Sequence, residues 1–167
     1  HINQLKKQGI TTAEVKSGYA LSVDGEIKML EAINMANQEC EIDLVPTFLG
    51  AHMKPKDFEG SNQEYLELLV KEVFPKLKSD DLTNRVDIFV EQSAFSVEEG
   101  DYFLNEAKNQ GFDITIHADQ FTAGGSYLAT KYKALSADHL EFSGDEEVKN
   151  LANSDVVATV LPGASIG

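Results

Sequence analysis

Six short β-like runs recur along the chain, each separated from the next by an amphipathic stretch. This alternation narrows the possible folds more than any other feature. The runs are ITTAEV (10–15), DLVPTFLG (43–50), RVDIFV (85–90), FDITIH (112–117), KALSADHL (133–140) and VVATVL (156–161). Helical candidates lie between them near residues 26–38, 62–78, 97–109, 124–133 and 145–153. Strict alternation of this kind implies right-handed crossovers and a parallel sheet. Runs such as VDIFV are apolar on both sides, as in strands covered by helices. Local signals agree. Ser61 to Glu64, Ser96 to Glu99 and Ser143 to Glu146 have the spacing of a capping box, in which a hydroxyl and a carboxylate satisfy orphan N–H groups reciprocally. Gly9 and Gly111 follow polar helical stretches, as C-terminal cap glycines do. Pro75 is expected to end or kink the second long helix.

Two α/β architectures fit this pattern, an open doubly wound sheet and a (β/α) barrel. No glycine-rich phosphate-binding turn follows the first run, which weakens a dinucleotide-binding reading. A closed barrel has eight strands and typically about 250 residues. The chain has 167 residues, so a barrel reading leaves it short by roughly two units. No linker, repeat or low-complexity segment divides it, and a single domain over residues 1–167 is expected.

The formal net charge of −14, with 28 acidic against 14 basic residues, disfavours nucleic acid and anionic membrane surfaces, which need basic patches. It favours a small-molecule or protein partner. With one cysteine, Cys40, no internal disulfide can form, and a cytoplasmic location is the simplest expectation. No apolar run approaches a membrane span. The start, HINQLKKQG, is polar, lacks an initiating Met and resembles the tail of a helix. No signal peptide is visible there, and the chain is expected to begin mid-domain.

Three histidines fall at or just past the carboxyl end of a predicted strand: His52 after FLGA, His117 ending DITI and His139 after SAD. One such residue is most simply a loop histidine. Three at equivalent places point to a shared rim, because the strand–helix loops of parallel β/α proteins converge there. Glu14 and Lys16 in EVKSGYAL are two apart and share a strand face. Buried charges of this kind need partners, although a solvated edge strand fits the segment equally well. Glu91, ending VDIFVE, repeats the theme. Asp119 and Asp138 neighbour histidines and either orient an imidazole or cap the next helix. Gly124–Gly125 more simply starts a helix than holds an anion. Cys40 reads as a buried or loop thiol. No Gly-x-Ser-x-Gly elbow supports a serine hydrolase.

Taken in order, EVKSGYAL, TFLGAH, VDIFVE, HADQF with the following GG, ALSADHLE and VATVLPGA closely resemble imidazolonepropionases, a family of the amidohydrolase superfamily. The resemblance runs from residue 10 to residue 164. It implies part of a metal-dependent (β/α)8 barrel and hydrolysis of the ring amide of 4-imidazolone-5-propanoate to N-formimidoyl-L-glutamate, a step of histidine degradation. On this likeness His117 is a metal ligand and His139 assists the chemistry. Tyr19 and His52 contact substrate. Gln120 stands where many members carry Glu, and an amide there forms hydrogen bonds but carries no proton. Ala20 replaces the commoner Gly of the GYGL form. The implied cofactor is one divalent metal, zinc or iron, which lowers the pKa of bound water to about 7 and polarises the carbonyl. The partner is then a small-molecule substrate, whose propanoate needs a cation. Lys16 lies on the right face for that.

The resemblance also marks what is missing. The family's His-x-His after the first barrel strand and its aspartate after the eighth are not in the sequence, so the six runs correspond to strands two to seven. Catalytic zinc sites use about three protein ligands, and only His117 is supplied. Weak or absent metal binding and no activity for the chain alone are therefore expected. Unpaired sheet edges near Thr11–Val15 and Val156–Val160 are expected to favour self-association. Two further readings stand beside this one: another cyclic amidohydrolase or deaminase of the superfamily, and a non-catalytic half-barrel module.

Overall fold

The computed structural model describes residues 1–165. All six expected strands form, as β1 (Thr12–Lys16), β2 (Asp43–Ala51), β3 (Arg85–Phe89), β4 (Asp113–Ala118), β5 (Ser136–His139) and β6 (Val157–Thr159). They make one parallel sheet whose spatial order equals their chain order. A doubly wound sheet reverses its order at a switch point. This one never does, so the strands follow one another around a curl, as six units of a (β/α) barrel would.

Helices α1 (Ile2–Lys7), α2 (Val23–Glu39), α3 (Asn62–Leu68), α4 (Phe74–Ser79), α5 (Val97–Asn109), α6 (Gly125–Tyr132), α7 (Asp145–Ala152) and the short α8 (Pro162–Ser165) alternate with the strands. Ser61 and Ser96 form complete capping boxes with Glu64 and Glu99. The third expected box does not form on Ser143. Its hydroxyl donates instead to Asp119 Oδ2 at 2.7 Å, and the cap moves one residue, with Gly144 N donating to Glu147 Oε2 at 3.0 Å. A buried carboxylate is a stronger acceptor than a local turn can offer. Pro75 does not end the helical run, which continues to Ser79. A single π-helical turn, Leu69–Val73, links α3 to α4, and Pro75 sits in the first turn of α4, directly after it.

Strand alternation separates two faces. Phe48, Val86, Ile88, Ile114, Ile116 and Ala137 belong to the apolar core beneath the helices. There they meet fully buried Leu30, Leu66, Phe74, Phe103 and Leu104. Each large side chain so buried contributes roughly 1.5–3 kcal/mol. The intervening residues carry polar groups: Glu14 and Lys16 on β1, Thr47 on β2, Asp87 on β3, Thr115 and His117 on β4, and Asp138 on β5. Register aligns Lys16 with Thr47, Asp87 with Thr115, and His117 with Asp138. The core therefore lies outside the curl, and the chemistry lies within it. At the far edge Val157 and Val160 of the β6 region are exposed.

Candidate active site

Tyr19, His52, His117 and His139 converge on one rim. Tyr19 lies in the turn after β1, His52 directly after β2, His117 near the end of β4, and His139 ends β5. Their rings form a file: Tyr19 to His52 at 5.3 Å, His52 to His117 at 6.1 Å, and His117 to His139 at 5.4 Å between centroids. Phe89 fills the angle between His52 and His117, at 5.7 and 6.0 Å. Parallel β/α units deliver these groups to one place because every strand ends at the same side of the sheet. A register break in β2 between Phe48 and Ala51 lies just before His52, and such bulges re-aim the residues that follow. Gln120 lies in the loop after β4, between Asp119 and Phe121.

Below the rim a polar and charged cluster ties five strands, β1 to β5, together. Lys16 Nζ donates to Asp87 Oδ2 at 2.5 Å and Asp138 Oδ2 at 2.7 Å, with Glu14 Oε2 3.4 Å away. Glu14 also accepts from Thr47 Oγ1 at 2.6 Å. Asp87, with no exposed side-chain surface, accepts further from Thr115 Oγ1 at 2.9 Å, from His117 N at 3.2 Å and from His117 Nδ1 at 3.0 Å. Burial opposes the charge on Lys16, but Asp87, Asp138 and Glu14 outweigh it and hold the ammonium above its usual range. Burial likewise opposes ionisation of Asp87. His117 and Lys16 prevail, and keep that carboxyl well below the usual range. Lys16 is thus committed to carboxylates of its own chain, which removes it as the free cation for a substrate propanoate.

Asp87 is the member of this cluster that sequence reasoning passed over. It stands between Val86 and Ile88 in the middle of β3, and an acid flanked by such residues was the available signal, since an unpaired buried carboxylate is prohibitively costly. With the His117 Nδ1–H donating to Asp87, the ring presents Nε2 away from the strand; the proton is assigned from the carboxylate acceptor.

His139 is buried, and its Nδ1 has no hydrogen-bond partner. Glu141 Oε1 stands 3.8 Å off, beyond hydrogen-bond reach. Burial, reinforced by His117, pulls the imidazole below its ordinary value. His139 and Leu140 both have positive φ, 89° and 70°. Each such residue costs on the order of 1–3 kcal/mol, and such strain gathers at functional sites.

Two buried carboxylates shape the loop that carries Gln120. Glu91 accepts from Phe121 N at 2.9 Å, Thr122 N at 3.0 Å, Gln92 N at 2.9 Å and the Thr122 hydroxyl. Asp119 accepts from Gly124 N at 2.9 Å and Ser126 N at 3.1 Å. Of its two sequence readings, Asp119 takes the helix-capping one. Asp138 takes neither, because Lys16 claims it. Gly124, at φ 137°, starts α6, and the anion its N–H meets is Asp119. Cys40 caps the end of α2, with Sγ 3.0 Å from Ile42 O.

Ligand atoms of Asp87, His117 and Asp138 lie within 4.8 Å of one another, the one such acid–histidine grouping among the described residues. The donor chemistry divides it. His117 Nε2 fits a metal, as an imidazole whose other nitrogen is held by a carboxylate. The two aspartates fit less well, because the Lys16 ammonium already lies between them.

No family model matches the chain. Imidazolonepropionase of Bacillus cytotoxicus is 45% identical over 166 residues, covering 99% of this chain and 39% of that protein. The Bacillus mycoides imidazolonepropionase gives the same identity and coverage. The chain therefore spans about two-fifths of the length of these relatives. Among solved structures, a triazine hydrolase variant superposes with a TM-score of 0.68 at 12% identity, covering 99% of this chain and 42% of that one. Adenine deaminase from Arthrobacter aurescens gives 0.67 at 15%, covering 99% and 51%. Enamidase, described as a member of the amidohydrolase superfamily, gives 0.59 at 12%, covering 96% and 42%. By sequence the chain is an imidazolonepropionase homologue, and by fold it is a run of six β/α units of the barrel seen in amidohydrolases.

Proposed function

We propose that the rim of Tyr19, His52, His117 and His139 is the substrate side of an imidazolonepropionase active site. In this reaction water opens the ring amide of 4-imidazolone-5-propanoate to give N-formimidoyl-L-glutamate. The observation that carries the reading is the unbroken file of four rings at the strand ends, backed by the carboxylate of Asp87 on His117. Tyr19 and His52 contact the substrate. His117 Nε2 is one ligand of a divalent metal, zinc or iron. When bound, such an ion supplies Lewis acidity and an activated water. His139, with an unpartnered Nδ1, handles a proton near the scissile bond. Gln120 hydrogen-bonds without transferring a proton. Lys16 is held by Asp87, Asp138 and Glu14, so it does not compete for the substrate. A cytoplasmic enzyme acting on a small molecule is part of the same reading. Among the described residues, no helix is long and apolar enough to cross a membrane.

The test is an exchange. This chain replaces the matching 166-residue segment of the Bacillus cytotoxicus imidazolonepropionase. A folded chimera that hydrolyses imidazolone propanoate, and loses that activity on His117→Ala, supports the reading. A folded chimera that neither binds nor turns over the compound defeats it.

A further inference from the structure

We infer that Glu26 is a positioning residue that sets the geometry of the pair Tyr19 and His52. The inference rests on the reading of that pair as substrate-facing. Glu26 lies in the first turn of α2 and has no exposed surface. Its carboxylate turns back under the loop after β1 and accepts three backbone N–H groups: Gly18 at 2.6 Å, Ala20 at 2.9 Å and Leu21 at 3.0 Å. Capping α2 is not its task, because Ser22 already accepts from Gly25 N at 3.2 Å. Among the described residues no Lys, Arg or His lies within ion-pair distance of it. The three amides and the positive end of α2 carry the compensation.

At Leu21 local preference opposes this shape. Gly18 and Leu21 have φ of 102° and 49°, both left-handed. The peptide between Gly18 and Tyr19 sits between two amides that Glu26 grips, those of Gly18 and Ala20. Its carbonyl faces His52 Nδ1 at 3.0 Å. A carbonyl only accepts, so the Nδ1–H tautomer is selected and Nε2 is left bare toward the rim. Tyr19 is 76% exposed and meets His52 edge-on at 5.3 Å. The same two gripped amides hold the backbone on either side of Tyr19 and so set where its side chain starts. One buried carboxylate thus holds the carbonyl that selects the tautomer of His52 and the backbone that carries Tyr19.

The experiment reads the His52 imidazole by long-range 15N–1H correlation on the chain itself. The wild type is expected as the single Nδ1–H tautomer. Glu26→Ala should lose that selection, giving a mixture, and added formate, a carboxylate small enough for the vacated space, should restore it. Should Glu26→Ala fail to fold, Glu26→Gln carries the same readout, since its NH2 opposes one of the gripped N–H groups. A wild type dominated by Nε2–H, or a folded variant with an unchanged His52 spectrum, overturns the inference. The readout is independent of turnover. A responsive His52 in a chain whose chimera ignores imidazolone propanoate would retain Glu26 as the positioning group and reject the substrate reading alone.

Discussion

Lys16 Nζ stands 2.5 Å from Asp87 Oδ2, joining β1 to β3 across 71 residues of sequence. The contact passes over β2 on the concave face and needs the sheet already curled. It makes the first and third strands electrostatically dependent on each other.

Replacing Lys16 with Met should therefore be severe. Asp87 and Asp138 would share a buried site without a cation, and breaking such a pair costs about 3–5 kcal/mol. Urea unfolding is the measurement. The loss should shrink markedly in an Asp87→Asn, Asp138→Asn background, because coupled neighbours are not additive. A loss below about 1 kcal/mol would show that the cluster is merely a solvated surface pair.

Glu91 predicts an acid-sensitive loop. Burial works against its charge, but the Thr122 hydroxyl and the amides of Gln92, Phe121 and Thr122 hold its carboxyl below the ordinary value. A carboxyl depressed in the folded state gives stability that is present above its unfolded pKa of about 4.3 and lost as pH falls through the folded value. Between neutral pH and that region the wild type should lose more stability than Glu91→Gln, whose amide does not titrate there. Parallel pH profiles for the two would refute this.

Gly18 and Gly9 offer a controlled comparison. Both have positive φ, 102° and 83°. A Cβ on Gly9 meets open space, whereas one on Gly18 falls 2.7 Å from Leu49 O and 2.9 Å from Leu49 Cγ. Gly9→Ala should cost about 1 kcal/mol from backbone strain. Gly18→Ala should cost distinctly more and shift the Tyr19 and His52 resonances as well. Equal melting temperatures for the two variants would contradict the close approach at Leu49.

Asp119→Ala should uncap α6 and free Ser143. Cap removal alone costs about 0.5–2 kcal/mol. The Ser126 and Gly124 amides should lose protection from hydrogen exchange, while those of β3 keep theirs. Uniform protection across both regions would mean that the Asp119 contacts hold nothing in place.

The sequence by itself determined the elements, their alternation and the rim. Helix starts at Ser61 and Ser96, stops at Gly9 and Gly111, and strand ends at His52, His117 and His139 depend on groups a few residues apart. Local hydrogen bonds and hydrophobic period are what mark them in the sequence. Tertiary structure decided the rest. Ser143 gave its hydroxyl to Asp119, 24 residues away, and left the cap to Gly144. Lys16 was claimed by Asp87 and Asp138. The grip of Glu26 on the amides of Gly18, Ala20 and Leu21 left no trace in residue type, because backbone N–H groups are the same at every non-proline position. Burial explains the difference: once a carboxylate or ammonium leaves water, it must take the best partner the closed fold brings near, whatever its distance along the chain.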